Sequence, residues 1–257
     1  GNLTTPQIAI GALAAAEEEN LRRSIAICKG ISERRKESHD HIVLGWVLAY
    51  QGRFNESEAA LSTASDMCVE LGDTQGQTVL WAYRALRALL MGDADAALEA
   101  ACQARELADV ERVERDIIRA EWLLGAAYRA RGDMAQAEPH LEEALRRCRR
   151  INLVEREPDI LLELARLRYA QAGGKVRRTW EALAQEALEM ADRCGYRLKQ
   201  ADCHNFLAQV ALAADDLSEA RRYAETGRER AWCDGPGHRY EVAFREAERL
   251  LGEVESR

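Results

Sequence analysis

The chain repeats itself about every 40 residues, and few folds accept a repeat of that length. Leu44-Gly45 and Leu124-Gly125 stand eighty residues apart, Leu164-Ala165 follows forty further on, and Leu207-Ala208 another forty-three beyond. Ala85 falls midway between Gly45 and Gly125. Self-similarity at this period marks solenoids, in which each unit buries its apolar face only against its neighbours. Seven residues after the small residue come Gly52, Gly92 and Gly132, as Gly52-Arg53-Phe54, Gly92-Asp93-Ala94 and Gly132-Asp133-Met134. Glycine there ends one helix and the next residues open another, so each reads as the turn of a helical hairpin.

Behind each turn, small residues recur at fixed offsets: Ser57, Leu61 and Ala64, then Ala97, Ala101 and Ala104, then Ala137, Leu141 and Ala144. Such spacing lets neighbouring helices approach closely. Composition agrees, since Ala, Leu, Glu and Arg dominate while Pro is limited to 4 and aromatics to 6%, the profile of helices rather than sheets. No strand is expected. The period divides the chain into hairpins near 5–37, 38–77, 78–117, 118–157, 158–200 and 201–234. Within them, Gly173 to Thr179 reads as an insertion of about a turn and a half, and the first hairpin lacks the glycine turn. The tight Trp232-Cys233-Asp234-Gly235-Pro236-Gly237 connector leads into a helix over 238–254, rich in Glu and Arg and suited to cap an open solenoid end.

Trp122, Leu124, Gly125, Tyr128, Ala137 and Leu141 resemble the tetratricopeptide pattern W-x2-L-G-x2-Y followed by A-x3-F, with Trp122 one place late. The resemblance extends over essentially the whole chain in weaker form. It implies an all-α, right-handed superhelical solenoid of about six hairpins plus a C-terminal capping helix. The family's shorter basic period implies that the extra residues lengthen the second helix or its exit, as at Cys68 to Asp73 and Arg149 to Leu153. This long-repeat variety resembles the sensor arrays of bacterial signalling ATPases of the STAND class and of transcription regulators. The Trp-Cys-Asp-Gly-Pro stretch is similar to the closing segment of such arrays.

Chemistry other than binding finds little support. Cys203-His204 and Cys233 with His238 are the Cys/His groupings, but neither C-x2-C nor H-x3-H spacing occurs, so buried thiols and surface imidazoles are the expected reading and no metal or other cofactor is implied. Cys68 and Cys148, eighty residues apart, read as packing positions. With 5 His and no strand-to-helix elbow, a catalytic triad has no basis. Gly173-Gly174-Lys175 lacks the length and the preceding strand of a phosphate-binding loop. The chain therefore reads as a non-enzyme. A net charge of -8 argues against general nucleic-acid binding, although Arg146, Arg147, Arg149 and Arg150, and Lys175 with Arg177 and Arg178, form basic runs. No stretch suits a bilayer, seven cysteines fit a reducing cytoplasm, and the opening Gly1-Asn2-Leu3 suggests a piece of a longer polypeptide.

In the tetratricopeptide family the first helix of each hairpin lines a concave groove. Carried onto this sequence by register, the groove positions include Trp46, Leu86, Arg119, Trp122, Arg129, Arg166, Asn205 and Gln209, aromatic and apolar toward the amino half and polar toward the carboxyl half. Ile42 and Trp46 replace residues that a carboxylate clamp for chaperone tails requires. The expected activity is recognition of a protein or peptide in this groove by a module of a signalling protein. An oligomerisation scaffold and a non-catalytic targeting arm of an enzyme are the competing readings, and light scattering separates the scaffold from the recognition module.

Overall fold

The computed structural model describes residues 4–173 and 177–257. Among these no strand occurs, and thirteen α-helices follow one another. They are α1 (Thr4–Ala9), α2 (Arg23–Gly30, entered through a π-helical stretch Ala15–Arg22), α3 (Arg34–Tyr50), α4 (Phe54–Leu71), α5 (Thr74–Met91), α6 (Ala94–Glu111) and α7 (Glu114–Ala130). The remainder are α8 (Met134–Arg150), α9 (Glu157–Gln171), α10 (Arg177–Cys194), α11 (Arg197–Ala213), α12 (Leu217–Ala231) and α13 (Glu241–Glu255). Successive pairs form antiparallel hairpins that stack side by side, so the molecule is an all-α helical-repeat solenoid closed by α13. Residues 174–176 of the expected insertion, and Lys175 of the second basic run, lie outside the described residues.

The turns show why the chain breaks where it does. Gly92 and Gly132 adopt left-handed backbone, with φ of 79° and 86°, a conformation that costs glycine little. The Asp that follows then caps the next helix: Asp93 accepts from the Ala96 amide at 3.0 Å and Asp133 from the Gln136 amide at 3.2 Å. One side chain thus meets an amide that the first turn leaves unpaired. Asp73 does the same between hairpins, for the Gly76 amide. The first helices start at Arg34, Thr74, Glu114, Glu157 and Arg197, up to one turn ahead of the boundaries read from the repeat, and of these five only α5 opens on a side-chain cap. The extra residues of the long period are shared, since α3 to α8 are all 17 or 18 residues long. The second helix alone does not take them up.

Inside each hairpin the recurring small residues meet. Gly45 and Gly125 are buried against Leu61 and Leu141, so close that a methyl group on either glycine would lie 2.6 Å and 2.4 Å from the leucine Cγ. Leu61, Ala64, Ala97, Ala101, Ala104, Ala137, Leu141 and Ala144 have no exposed surface, and neither do Cys68, Ala108 and Cys148, which occupy one register in three successive repeats. The cysteines are free thiols, and burial pushes the Cys148 thiol up to about 12. They serve as small apolar residues.

Two features depart from the sequence reading. The first hairpin does have a glycine turn: Gly11, with φ of 81°, follows an α1 of only six residues, so it falls outside the register of the other turns. The solenoid end is also not open. Gly11 packs on Arg197 and Cys233, the Ala14 amide donates to Asp234 at 2.9 Å, and the Tyr240 ring meets Tyr50 edge-on with centroids 4.9 Å apart. Glu241, at the start of α13, covers Gly52. The first and last elements therefore touch, and α13, packed on α11 and α12 as the expected cap, begins at that contact.

Candidate functional site

Closure of the stack surrounds a groove of about 790 Å³, lined by α5, α7, α9, α11 and α13, with Tyr50 and Phe54 at one end. Helical periodicity builds each wall: residues three, four and seven apart share a face. On α7 that face carries Trp122, Ala126 and Arg129, on α9 Asp159, Leu162, Arg166 and Tyr169, and on α11 Asp202, Asn205 and Gln209. Leu86 and Leu89 of α5 complete an apolar side opposite the charges of α13.

Six of the eight residues expected in the groove line it: Leu86, Trp122, Arg129, Arg166, Asn205 and Gln209. They differ in how free they are. Leu86 and Trp122 are each 7% exposed, presenting an edge, and the Arg156 guanidinium lies over the Trp122 ring 5.0 Å from its centroid. Asn205 is buried and donates to the Ala243 carbonyl at 2.8 Å, pressed against Gly227; it pins α11 to α12 and α13. Gln209 donates to Glu246 at 2.5 Å. Trp46 and Arg119 stand elsewhere. Trp46 stacks on Tyr83 of the next hairpin at 4.8 Å between centroids, and Arg119 reaches back to Asp116 at 2.9 Å and over the Tyr83 ring. In both cases α5 covers a position that register alone assigns to the groove.

The floor is polar and largely internally paired. Arg129 Nε and Arg166 Nη1 donate to the two oxygens of Glu163, at 2.6 Å and 2.5 Å. Burial pushes the Glu163 carboxyl up, but the adjacent Arg129 and Arg166 charges outweigh it and hold the group at about 2. Asp159 pairs with Arg156 at 3.1 Å and with Lys199. Asp202 instead accepts from the Tyr240 hydroxyl, at 3.1 and 3.3 Å. Burial raises Asp202 to about 7, Arg166 opposing the shift and Asp159 adding to it. Sequence register missed Glu163, Tyr240, Arg245, Glu246 and Arg249. The α13 residues lie outside the repeat and carry no register signal, whereas the Glu163-to-Arg166 spacing of three was readable as a helical ion pair.

The first basic run is neutralised. Arg146 bonds to Glu143, Arg147 to Glu143 and Glu114, Arg149 to Glu157 and Glu186, and Arg150 to Glu114. Among the described residues no three His, Cys, Asp or Glu are grouped to hold a metal ion, and no helix is long and apolar enough to cross a membrane.

No family model matches the chain, and no curated protein matches it. Among solved structures, the crystal structure of NprR in complex with its cognate peptide NprX superposes with a TM-score of 0.72 at 19% identity, covering 96% of this chain and 69% of that one. The chain is a tetratricopeptide-like helical solenoid. At that identity the likeness concerns the backbone arrangement, and the groove residues carry their own argument.

Proposed function

We propose that this solenoid is a non-catalytic recognition module that binds a peptide along its groove, as the sensing part of a larger bacterial signalling protein in the cytoplasm. The observation that supports the reading is the groove itself: one cavity juxtaposes the apolar edge of Leu86, Trp122 and Leu162 with the donors of Arg129 and Arg166. An extended peptide offers that combination of apolar anchors and backbone polar groups. The structural neighbour supports the same class, being a complex with a cognate peptide. The STAND-type context rests on the sequence resemblance alone.

The test is direct. Synthetic random-hexapeptide pools are titrated against the chain while tryptophan fluorescence and calorimetric heat are followed, and the bound fraction is sequenced. Saturable binding that Trp122→Ala removes from a folded protein supports the groove. Binding untouched by Trp122→Ala places recognition on another face. A light-scattering mass that climbs with concentration, without any peptide binding, supports the scaffold reading.

A further inference from the structure

Outside the groove the chain leaves one aromatic ring open to solvent. Four of the five tryptophans are buried or half-buried, and Trp232 is 43% exposed. The half-buried rings of Trp81, Tyr196, Tyr223 and Phe244 each carry an Arg or Lys of this chain, 4.9, 5.6, 4.2 and 4.1 Å from the centroid. Trp232 meets Phe244 with centroids 5.7 Å apart, and no Arg or Lys among the described residues lies over its ring.

The ring stands in a recess of about 570 Å³ between α12 and α13. Residues three, four and seven apart share a helix face, so Glu225 and Glu229 line up with Trp232 at the end of α12, and Phe244 with Glu248 on α13. That face of α13 is turned from the groove, which takes Val242, Glu246 and Arg249 instead. Two cations in the recess already have partners. Arg228 pairs with Glu248 across the two helices at 3.0 Å, and Arg197 gives Nε and Nη2 to the Arg230 and Glu229 carbonyls, each at 2.9 Å. Glu225 and Glu229 are exposed and form no ion pair among the described residues. Unpaired exposed carboxylates occur elsewhere, as at Glu99 and Glu106 on α6, but without an exposed ring beside them. The recess is singled out by the open indole and the two carboxylates together. It also lies at the carboxyl end of α12, where the helix dipole favours a cation.

We propose that this recess is a second recognition site, independent of the groove, that takes an arginine side chain of a partner protein. The guanidinium lies over the Trp232 ring and its N–H fork faces Glu225 and Glu229. Arginine suits the site better than lysine, because a planar, weakly hydrated guanidinium stacks on an aromatic face and bonds carboxylates from the same plane.

The experiment titrates the full chain with N-acetyl-L-argininamide, blocked at both ends as a residue within a chain, and with N-acetyl-L-citrullinamide, which keeps the shape and lacks the charge. The indole N–H resonance of Trp232, assigned through Trp232→Leu, reports the recess, and that of Trp122 reports the groove in the same spectra. The arginine probe should move the Trp232 resonance saturably and leave Trp122 in place, and the citrulline probe should bind more weakly. Binding to variants is read from saturation transfer to the probe. Trp232→Leu should weaken arginine binding by about two- to fivefold, the loss of a cation–π contact at an exposed site. Gly235 packs on the indole, so folding of that variant is checked by circular dichroism. The double variant Glu225→Gln, Glu229→Gln leaves that contact alone and should weaken arginine binding while leaving citrulline binding as it was. Equal binding of the two probes, arginine binding unchanged in either folded variant, or movement of Trp122 in place of Trp232 overturns the site. The groove reading stands or falls separately, on the hexapeptide pools.

Discussion

Gly125 lies directly against Leu141, with 2.4 Å between the leucine Cγ and the position a methyl group on the glycine would take. The same register holds Gly45 with Leu61, and in the repeat between them Ala85 with Ala101. The sizes are complementary: glycine where the second helix offers leucine, alanine where it offers alanine. Gly125→Leu should therefore destabilise by roughly 1–3 kcal/mol through overpacking. The pair Gly125→Ala with Leu141→Ala, which copies the middle repeat, should lose less than the two single changes added together. Thermal melts of the four proteins check this, and strict additivity would contradict the packing.

Asp202 gives the groove a pH dependence whose sign can be worked out. Its carboxyl is raised from 3.8 to about 7 by burial, so the folded chain binds a proton that the unfolded chain has released. Stability from this group is complete below pH 4 and is lost as pH rises through 7. Asp202→Asn keeps an acceptor for Tyr240 and removes the titration. It should melt higher than the parent at pH 8, by roughly 1–2 kcal/mol in stability, with the gap closing by pH 5. A gap independent of pH would show that Asp202 does not titrate in this range.

Glu163 works in the other direction. Held at about 2 by Arg129 and Arg166 against the effect of burial, it contributes stability above pH 4.5 that disappears as pH falls toward 2. Glu163→Gln should flatten the acid limb of the stability profile, measured by urea denaturation between pH 2 and 5. An unchanged limb would assign acid sensitivity to other carboxylates.

Binding energy should be concentrated in the groove. For a peptide recovered from the hexapeptide pools, Trp122→Ala should cost about 2 kcal/mol or more, as buried aromatic anchors commonly do. Arg149→Ala, in the neutralised exit cluster, should change affinity little at physiological salt, where exposed charges are screened within about 8 Å. Calorimetric titration of both folded variants provides the comparison, and reversal of the two effects would move the site to the convex face.

Much of the fold was legible because its determinants are local and periodic. The Gly-Asp turns at 92 and 132 announce themselves by conformational preference, and the register shared by Cys68, Ala108 and Cys148 is a packing signal visible without coordinates. What escaped has physical causes. Gly11 was hidden by the shortness of α1, which takes its turn out of phase. Trp46 and Arg119 occupy groove positions by count, but Tyr83 of the adjacent hairpin packs on both, a relation between repeats that no single repeat encodes. Glu246 and Arg249 enter the groove from α13, and Tyr240 from the residue just before it, outside the repeat. Their position depends on where the whole stack arrives after six hairpins.

The junction of the first and last elements can be tested covalently. The Cys233 sulfur lies 3.1 Å from the place a Cβ on Gly11 would occupy, within reach of a disulfide. Gly11→Cys should form that bond on mild oxidation with diamide, detectable as faster migration on a non-reducing gel and a higher melting temperature than the reduced form. The reduced variant should be slightly less stable than the parent, since cysteine must adopt the left-handed backbone of Gly11 at roughly 1–2 kcal/mol. Failure to cross-link under native conditions would mean the ends are apart in solution.

That junction also limits how this molecule can evolve. An array with free ends gains or loses units cheaply, because each unit answers only to its two neighbours. Here Tyr50 rests on Tyr240 and Gly11 on Cys233, so duplicating or deleting a hairpin would carry one end past the other and break contacts at residues far from the change. The number of hairpins between those contacts is thereby fixed by geometry, and variation is channelled into side chains that face the enclosed space. Diversification among chains of this architecture should appear as altered pocket chemistry at constant length.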